Sequence, residues 1–289
     1  MFSIFINDLE VDICSQIKIF ADDTKIYNSV QNSSILMDDL NVLADWSDKW
    51  LLPFNIDKCK VLHYGKHNAN TLYSMNDVVV PDDTHIKDLG VTFQDDLKFE
   101  EHISKICATA NSRLGVIKKV IHCIEKDGFL ILFKSLVRPI LEYCNVIWSP
   151  YLRKHHKMIE QIQRRATRMV RGVDNLNYSG RLRFLNLNTL FYRRRRSDLI
   201  QVFRIINGID SLCFNEFFEL DLGITRGNNR KFIKPRANTS IRIHSFSHRV
   251  INDWNELPNS VVMSISINSF KSSLNLYWKD QPFKFEFEF

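Results

Sequence analysis

Near the start of the chain, apolar and polar positions alternate over short runs. Ile17 to Ala21 and Thr24 to Asn28 are rich in apolar and β-forming residues, and Asp22-Asp23 separates them. That is a hairpin signal, because Asp tolerates the backbone a tight turn requires. The period then lengthens. Leu36, Leu40, Leu43, Trp46 and Trp50 recur every three or four residues, with Asp38, Asp39, Asp45 and Asp48 between them. This predicts an amphipathic helix, capped by Ser33 or Ser34 and ended by Pro53. Lys58 to Tyr64 and Ile86 to Phe93 read as strands, the second interrupted by Gly90.

From Phe99 the helical period takes over. Ile103, Ile106, Ala110, Leu114, Ile117 and Ile121 form one stripe. Phe129, Phe133, Leu136, Ile140, Cys144 and Ile147 form a second, in which Pro139 should kink or split the helix. Leu152, His155, Ile159, Ile162, Ala166 and Met169 form a third. A fourth helix is expected from Leu187 to Asn207, with Leu199, Val202, Phe203 and Ile206 inward and Gly208 as its stop. Beyond Gly208 the pattern is less regular. Residues 221–229 read as a loop, Phe246 to Leu257 as a short helix ended by Pro258, and the alternation from Phe283 to Phe289 has strand period. The expectation is an α+β fold in three segments: 1–98 mixed, 99–208 helical, and a C-terminal extension over 209–289.

Composition narrows the class. At 45% hydrophobic and 25% charged, the chain is ordinary for a folded globular protein. Nowhere do about 18 apolar residues run without a charge, which argues against a membrane span. Met1 to Glu10 lacks a basic start and a cleavage site, so it does not read as a secretory signal. The run from Met1 to Ile6 reads instead as the end of a buried helix. Cys14, Cys59, Cys107, Cys123, Cys144 and Cys213 show no Cys-x-x-Cys or zinc spacing, so reduced thiols in an intracellular protein are expected. His155-His156 is not read as a metal pair: adjacent positions on a helix diverge, so one ring should pack and the other meet water.

The net charge of +6 hides two poles. Residues 1–60 carry five Lys and no Arg against ten Asp and Glu, whereas residues 151–200 carry thirteen Lys and Arg against three acids. An acidic pole suits a metal site and a basic pole suits a polyanion. At the acidic pole, Phe20-Ala21-Asp22-Asp23 would present two carboxylates at a hairpin tip. Nucleotidyl transfer needs magnesium, which takes oxygen ligands, and paired ions stabilise the attacking and leaving oxygens. Alone, an Asp-Asp turn is commonly just a solvated turn.

The flanking sequence adds a resemblance. Ser3-Ile-Phe-Ile-Asn-Asp-Leu9 followed by Ile19-Phe-Ala-Asp-Asp-Thr-Lys-Ile-Tyr27 resembles the palm of non-long-terminal-repeat, jockey-like reverse transcriptases. Trp50 to Lys60, with Asn55 and Lys58, resembles the next palm segment, and Ile86-Lys-Asp-Leu-Gly-Val91 the primer-grip hairpin. Leu136 to Tyr143 with Trp148 resembles the first thumb helices, and Ile162-Gln-Arg-Arg-Ala-Thr-Arg168 a later element, all in the family's order. The resemblance implies a partial palm followed by a helical thumb. It implies Mg2+ at Asp22 and, more weakly, Asp23; Lys58 near the leaving pyrophosphate; and Leu89, Gly90 and Val91 against the primer end. It also implies an RNA template and an RNA–DNA hybrid or DNA primer as partners; the cysteine pattern and the absence of a secretory signal place the expectation inside the cell, in nucleus or cytoplasm. The family places a further metal-binding Asp and the fingers before this hairpin, and only 21 residues precede Asp22. The expectation is therefore a C-terminal part of an RNA-directed DNA polymerase that does not catalyse alone. The alternative is a non-catalytic binder of RNA or RNA–DNA hybrid.

At the basic pole, Lys154, Lys157, Gln161, Arg164, Arg168 and Arg171 follow helical spacing opposite the apolar stripe, and Arg193, Arg194, Arg195 and Arg196 add a second cluster. Both are expected to contact phosphates, which supply affinity without sequence choice. The competing reading is a solvated helix face.

Overall fold

The structure is a computed structural model. It describes residues 6–65, 68–121, 124–221, 223 and 228–286. The expected end of a buried helix at Met1 to Ile6 falls almost wholly outside them, as does much of the expected loop at 221–229. The chain divides into two compact units, Met1–Leu97 and Lys98–Phe289. It is 53% helical and 10% strand, a mixture of helices and small antiparallel sheets consistent with the α+β expectation.

In the first unit, β1 (Gln16–Phe20) and β2 (Asp23–Tyr27) pair antiparallel with Phe20 opposite Asp23 and Ile17 opposite Ile26. The period-2 pattern puts Ile17, Ile19 and Ile26 against Leu9, Leu43 and Ala44, while Phe20 and Tyr27 stay exposed. Helix α1 (Ser33–Trp50) supplies Leu43 and Ala44 to that core and ends at Leu51, whose φ of 54° makes a left-handed cap ahead of Pro53. Its N-cap is Asn32 and no side chain caps it, contrary to the expected Ser33 or Ser34. One further contact fixes the hairpin: Asp39 of α1 accepts the backbone N–H groups of Cys14 and Ser15 at 2.9 and 2.7 Å.

Two more hairpins follow, β3 (Ser74–Met75) with β4 (Val78–Val79), and β5 (His85–Asp88) with β6 (Val91–Gln94). The three hairpins form separate two-stranded sheets. The expected strand at Lys58 to Tyr64 does not form as such. Ile56–Lys58 is a 3-10 turn, and beyond it Val61 makes a bridge to Asp82. The expected strand from Ile86 to Phe93 is a hairpin that turns at Leu89-Gly90.

The second unit is helical. Helix α2 (Glu100–Val120) buries Ile103, Cys107, Ala110, Leu114 and Ile117, a spacing of four and three that keeps one face inward. Helix α3 (Lys126–Leu132) runs into a π turn (Phe133–Val137) and then α4 (Arg138–Glu142). Pro139 has no N–H for the carbonyl four residues back, and its ring crowds that carbonyl. The wider π turn absorbs the conflict and adds one residue. That extra residue moves the buried positions to Val137 and Leu141 and leaves Leu136 exposed, which corrects the second stripe. Helix α5 (Asn145–Trp148) buries Trp148 and leaves Ile147 exposed.

Helix α6 (Arg153–Thr167), α7 (Tyr178–Phe184) and α8 (Leu190–Ile206) follow. The fourth helix thus starts later than expected, at Leu190, because the Thr189 side chain accepts the Tyr192 N–H and caps it. Short helices α9 (Phe214–Phe217) and α10 (Ser240–His244) precede α11 (Phe246–Asn255), α12 (Asn259–Val262) and α13 (Ile267–Tyr277). Leu199, Val202 and Phe203 of α8 share one core with Trp254, Val262, Phe270 and Trp278. Residues 98–208 and the C-terminal extension therefore lie in a single unit. The expected terminal strand is absent from the described residues: Pro282–Lys284 is a 3-10 turn.

Candidate active-site hairpin and basic surface

The acidic hairpin is closed by a two-residue turn, Ala21-Asp22, with Ala21 at φ 55°. Asp22 and Asp23 are both exposed at its tip. An open groove of about 370 Å3, lined by Ile6, Asn7, Glu10, Ile19 and Ala21, runs beside it. Asp8 is turned elsewhere, accepting the Trp46 indole N–H at 3.1 Å.

The β5–β6 hairpin is tied to this one. Lys25 of β2 forms an ion pair with Asp88 of β5, and its ammonium lies 5.7 Å from the Phe93 ring centre. The pair is partly exposed, so its net contribution is small, about 0–1 kcal/mol. It links the strand after the Asp22-Asp23 turn to the strand before the Leu89-Gly90 turn. At the second tip Leu89 and Gly90 have φ of 44° and 86°. Positive φ at both turn residues is the tight hairpin geometry that favours Asn-Gly, and a branched Leu there is strained. Leu89 is 45% exposed. Val91, by contrast, is a buried core residue. Lys58 is exposed at the end of its 3-10 turn.

Two carboxylates give magnesium the hard oxygen donors it prefers. Among the described residues, however, no three His, Cys, Asp or Glu side chains converge as a metal-binding group. The residues present fit magnesium only as a partial site.

The expected stripe faces outward on α6 as far as Arg164; Arg168 is the C-cap and Arg171 lies in a turn beyond the helix, which corrects the expectation that both follow its spacing. Lys154, Lys157, Gln161, Arg168 and Arg171 are exposed, and Arg164 is half-buried with its guanidinium 4.6 Å from the Tyr178 ring centre. Lys154 pairs with Glu100 at 2.5 Å, and Arg171 with Glu125 at 3.3 Å. These pairs are exposed and can be exchanged for phosphates.

The second basic cluster is mostly spent inside the unit. Arg193 pairs with Glu142, and Arg195 with Asp253 at 2.5 Å. Arg196 donates to Asn275 at 2.7 Å. Arg194 is 1% exposed, so the expectation that it meets phosphate does not hold. Its Nη2 donates to His156 Nδ1 at 3.0 Å. His155 and His156 are both buried, which corrects the expectation that one meets water. Burial and then the Arg194 charge hold the His156 ring down to about 3.

Sequence reasoning missed the polar interior beneath the stripe. Glu160 is fully buried on α6; it accepts the Leu190 backbone N–H at 3.0 Å and the Tyr178 hydroxyl. Burial pushes its carboxyl upward, while the Tyr178 hydrogen bond, the Arg194 charge and the Leu190 N–H oppose the shift. Gln163 donates to Tyr178 Oη and to the Asn188 carbonyl, both at 3.0 Å. A glutamate and a glutamine among apolar positions of a helix were the available signal.

Part of the chain has a counterpart among known proteins. The chain is 22% identical over 164 residues to the RNA-directed DNA polymerase from mobile element jockey of Drosophila melanogaster, an alignment covering 54% of this chain. The chain spans 18% of that protein's length. No family model matches the chain, and no solved structure matches it. The chain carries a weak resemblance to LINE-type reverse transcriptases. Among the described residues no helix is long and apolar enough to cross a membrane.

Proposed function

We propose that this chain is part of a retrotransposon RNA-directed DNA polymerase, with a partial palm in the first unit and a thumb-like helical region in the second. The observation that carries this reading is the exposed Asp22-Asp23 hairpin tip, whose second strand is ion-paired through Lys25 to Asp88 at the start of the Leu89-Gly90 turn. Asp22 and Asp23 would hold Mg2+, whose role is to polarise phosphoryl oxygens and stabilise developing charge. Lys58 would supply a cation near the leaving group. Leu89 and Gly90 would press on the primer end, with Val91 anchoring their hairpin in the core. Because no third ligand converges on the carboxylates, no catalytic step is assigned to this chain alone.

Lys154, Lys157, Arg164, Arg168 and Arg171 would follow the phosphates of an RNA–DNA hybrid. The outward placement of Lys154, Lys157, Arg168 and Arg171 also supports a second reading, a non-catalytic binder of RNA or hybrid. One pair of measurements tests both readings: hybrid affinity across a salt series, and primer extension on an RNA template with Mg2+ or Mn2+. Binding without extension fits the binder, or a polymerase part that needs the rest of its protein. Extension lost in Asp22→Ala makes the chain an enzyme in its own right. A chain that neither binds hybrid at low salt nor extends a primer refutes both.

A further inference from the structure

Between α6 and α7 lies an open cavity of about 580 Å3. Arg164 of α6 and Arg168 at its C-cap, four apart, line it from one side, and Tyr178 and Arg181, three apart on α7, from the other. Asp174 of the connecting loop is the acidic side chain on its wall.

Arg181 is the unusual member. It is 6% exposed, yet no carboxylate pairs with it among the described residues. Its Nε donates to Thr167 Oγ1 at 3.1 Å and its Nη1 to the Leu176 carbonyl at 2.7 Å. Both acceptors are neutral, so those two bonds orient the guanidinium without supplying an opposite charge. A buried charge is costly unless an opposite charge meets it. Glu160 turns its oxygens to the Leu190 N–H and the Tyr178 hydroxyl, and it forms no ion pair with Arg181 among the described residues. Burial, then the Arg168 and Arg164 charges, push Arg181 below the usual arginine range.

The ligand chemistry follows from these contacts. Planar guanidiniums with fixed donors match the oxygens of a phosphate group. A nucleobase fits less well, since Arg164 and Arg181 lie 4.6 and 5.7 Å from the Tyr178 ring centre and occupy the surface on which a base would stack. The volume admits more than a bare phosphate, enough for an attached sugar. We propose that the Arg164–Arg168–Arg181 cavity seats one phosphate group of a bound polynucleotide. The inference rests on the nucleic-acid reading above. It adds a discrete seat, and Arg181, to an otherwise diffuse basic face.

The test uses the full chain. Inorganic phosphate is titrated at constant ionic strength while arginine Nε–H signals are followed by NMR, with Arg181→Lys identifying the Arg181 signal. In parallel, affinity for an RNA–DNA hybrid, with and without a 5′-phosphate, is compared for the parent, Arg168→Gln and Lys118→Gln, an exposed lysine outside the stripe. The expected result is a phosphate-dependent shift at Arg181, with affinity falling about tenfold in Arg168→Gln and much less in Lys118→Gln. Loss confined to the 5′-phosphorylated hybrid assigns the seat to a chain end, and equal loss assigns it to an internal phosphodiester. If hybrid binds but phosphate leaves Arg181 unmoved and the two variants lose affinity equally, the seat is wrong and the nucleic-acid reading stands. If phosphate shifts Arg181 but hybrid does not bind at low salt, the nucleic-acid reading falls, and the polynucleotide source with it.

Discussion

Acid should destabilise the helical unit through His156, by an amount the structure sets. Arg194 Nη2 lies 3.0 Å from His156 Nδ1. A guanidinium only donates, so Nδ1 accepts and the ring is neutral, with its proton on Nε2. Protonation would break that bond and set a second cation against Arg194, in a site that is already desolvated. The ring accordingly titrates at about 3 in the folded chain. Unfolded, its value returns to about 6.5. A histidine depressed on folding contributes stability that is present above the unfolded value and lost as pH falls toward the folded one. At about pH 5 the unfolded chain gains about 2 kcal/mol from this proton, and the folded chain gains almost nothing. His156→Asn keeps an acceptor near the Nδ1 position and removes the titration. Urea unfolding followed by tryptophan fluorescence, at about pH 7.5 and about pH 5, gives the two stabilities of each chain. The parent should lose about 2 kcal/mol more than the variant over that range. His102, held at about 4, and His155, also lowered, titrate in both chains and drop out of the difference. A pH dependence that is the same in both chains would refute the buried, neutral ring.

Three further outcomes are expected. Neutralising Lys157, Arg168 and Arg171 to Gln should lower the salt slope of hybrid binding by about one unit per lost contact, for all sequences alike, while Asp38→Asn with Asp45→Asn leaves it unchanged or improves affinity; a slope indifferent to the stripe would make the basic face mere solvated surface. The 289-residue chain should not extend a primer on RNA with Mg2+ or Mn2+, since no third metal ligand joins Asp22 and Asp23 among the described residues; robust extension abolished by Asp22→Ala would overturn this. Leu89→Asn should stabilise the first unit by about 1 kcal/mol in urea unfolding, by relieving a branched residue at φ 44°; a comparable loss would mean that the Leu89 side chain contributes packing the strain argument ignores.

What local chemistry decides is legible in the order of residues alone. The Asp22-Asp23 hairpin is readable because a turn and its period-2 flanks depend on a dozen neighbouring residues. Helix α1 and the inward face of α2 are readable for the same reason at period 3.6. The outward face of α6 follows from its apolar stripe: once Ile159, Ile162 and Ala166 point inward, Lys157 and Arg168 must point out. The weak likeness to a retrotransposon polymerase is also carried by short ordered segments.

Tertiary structure decided everything that depends on a partner distant in the chain. Four consecutive arginines look like one basic patch, but Glu142 takes Arg193 from 51 positions away and Asp253 takes Arg195 from 58. No window of sequence contains both partners. The π turn at Phe133–Val137 shifts the buried face by one residue, because Pro139 breaks the ladder in a way that periodicity cannot count. Arg181 showed no sequence signal. Its meaning comes from α7 folding back on α6, which buries a guanidinium beside two others with no carboxylate paired to it among the described residues. Periodicity assigns each residue a direction from its own helix axis. Packing alone determines what waits in that direction: water, an opposite charge, or a cavity lined with like ones.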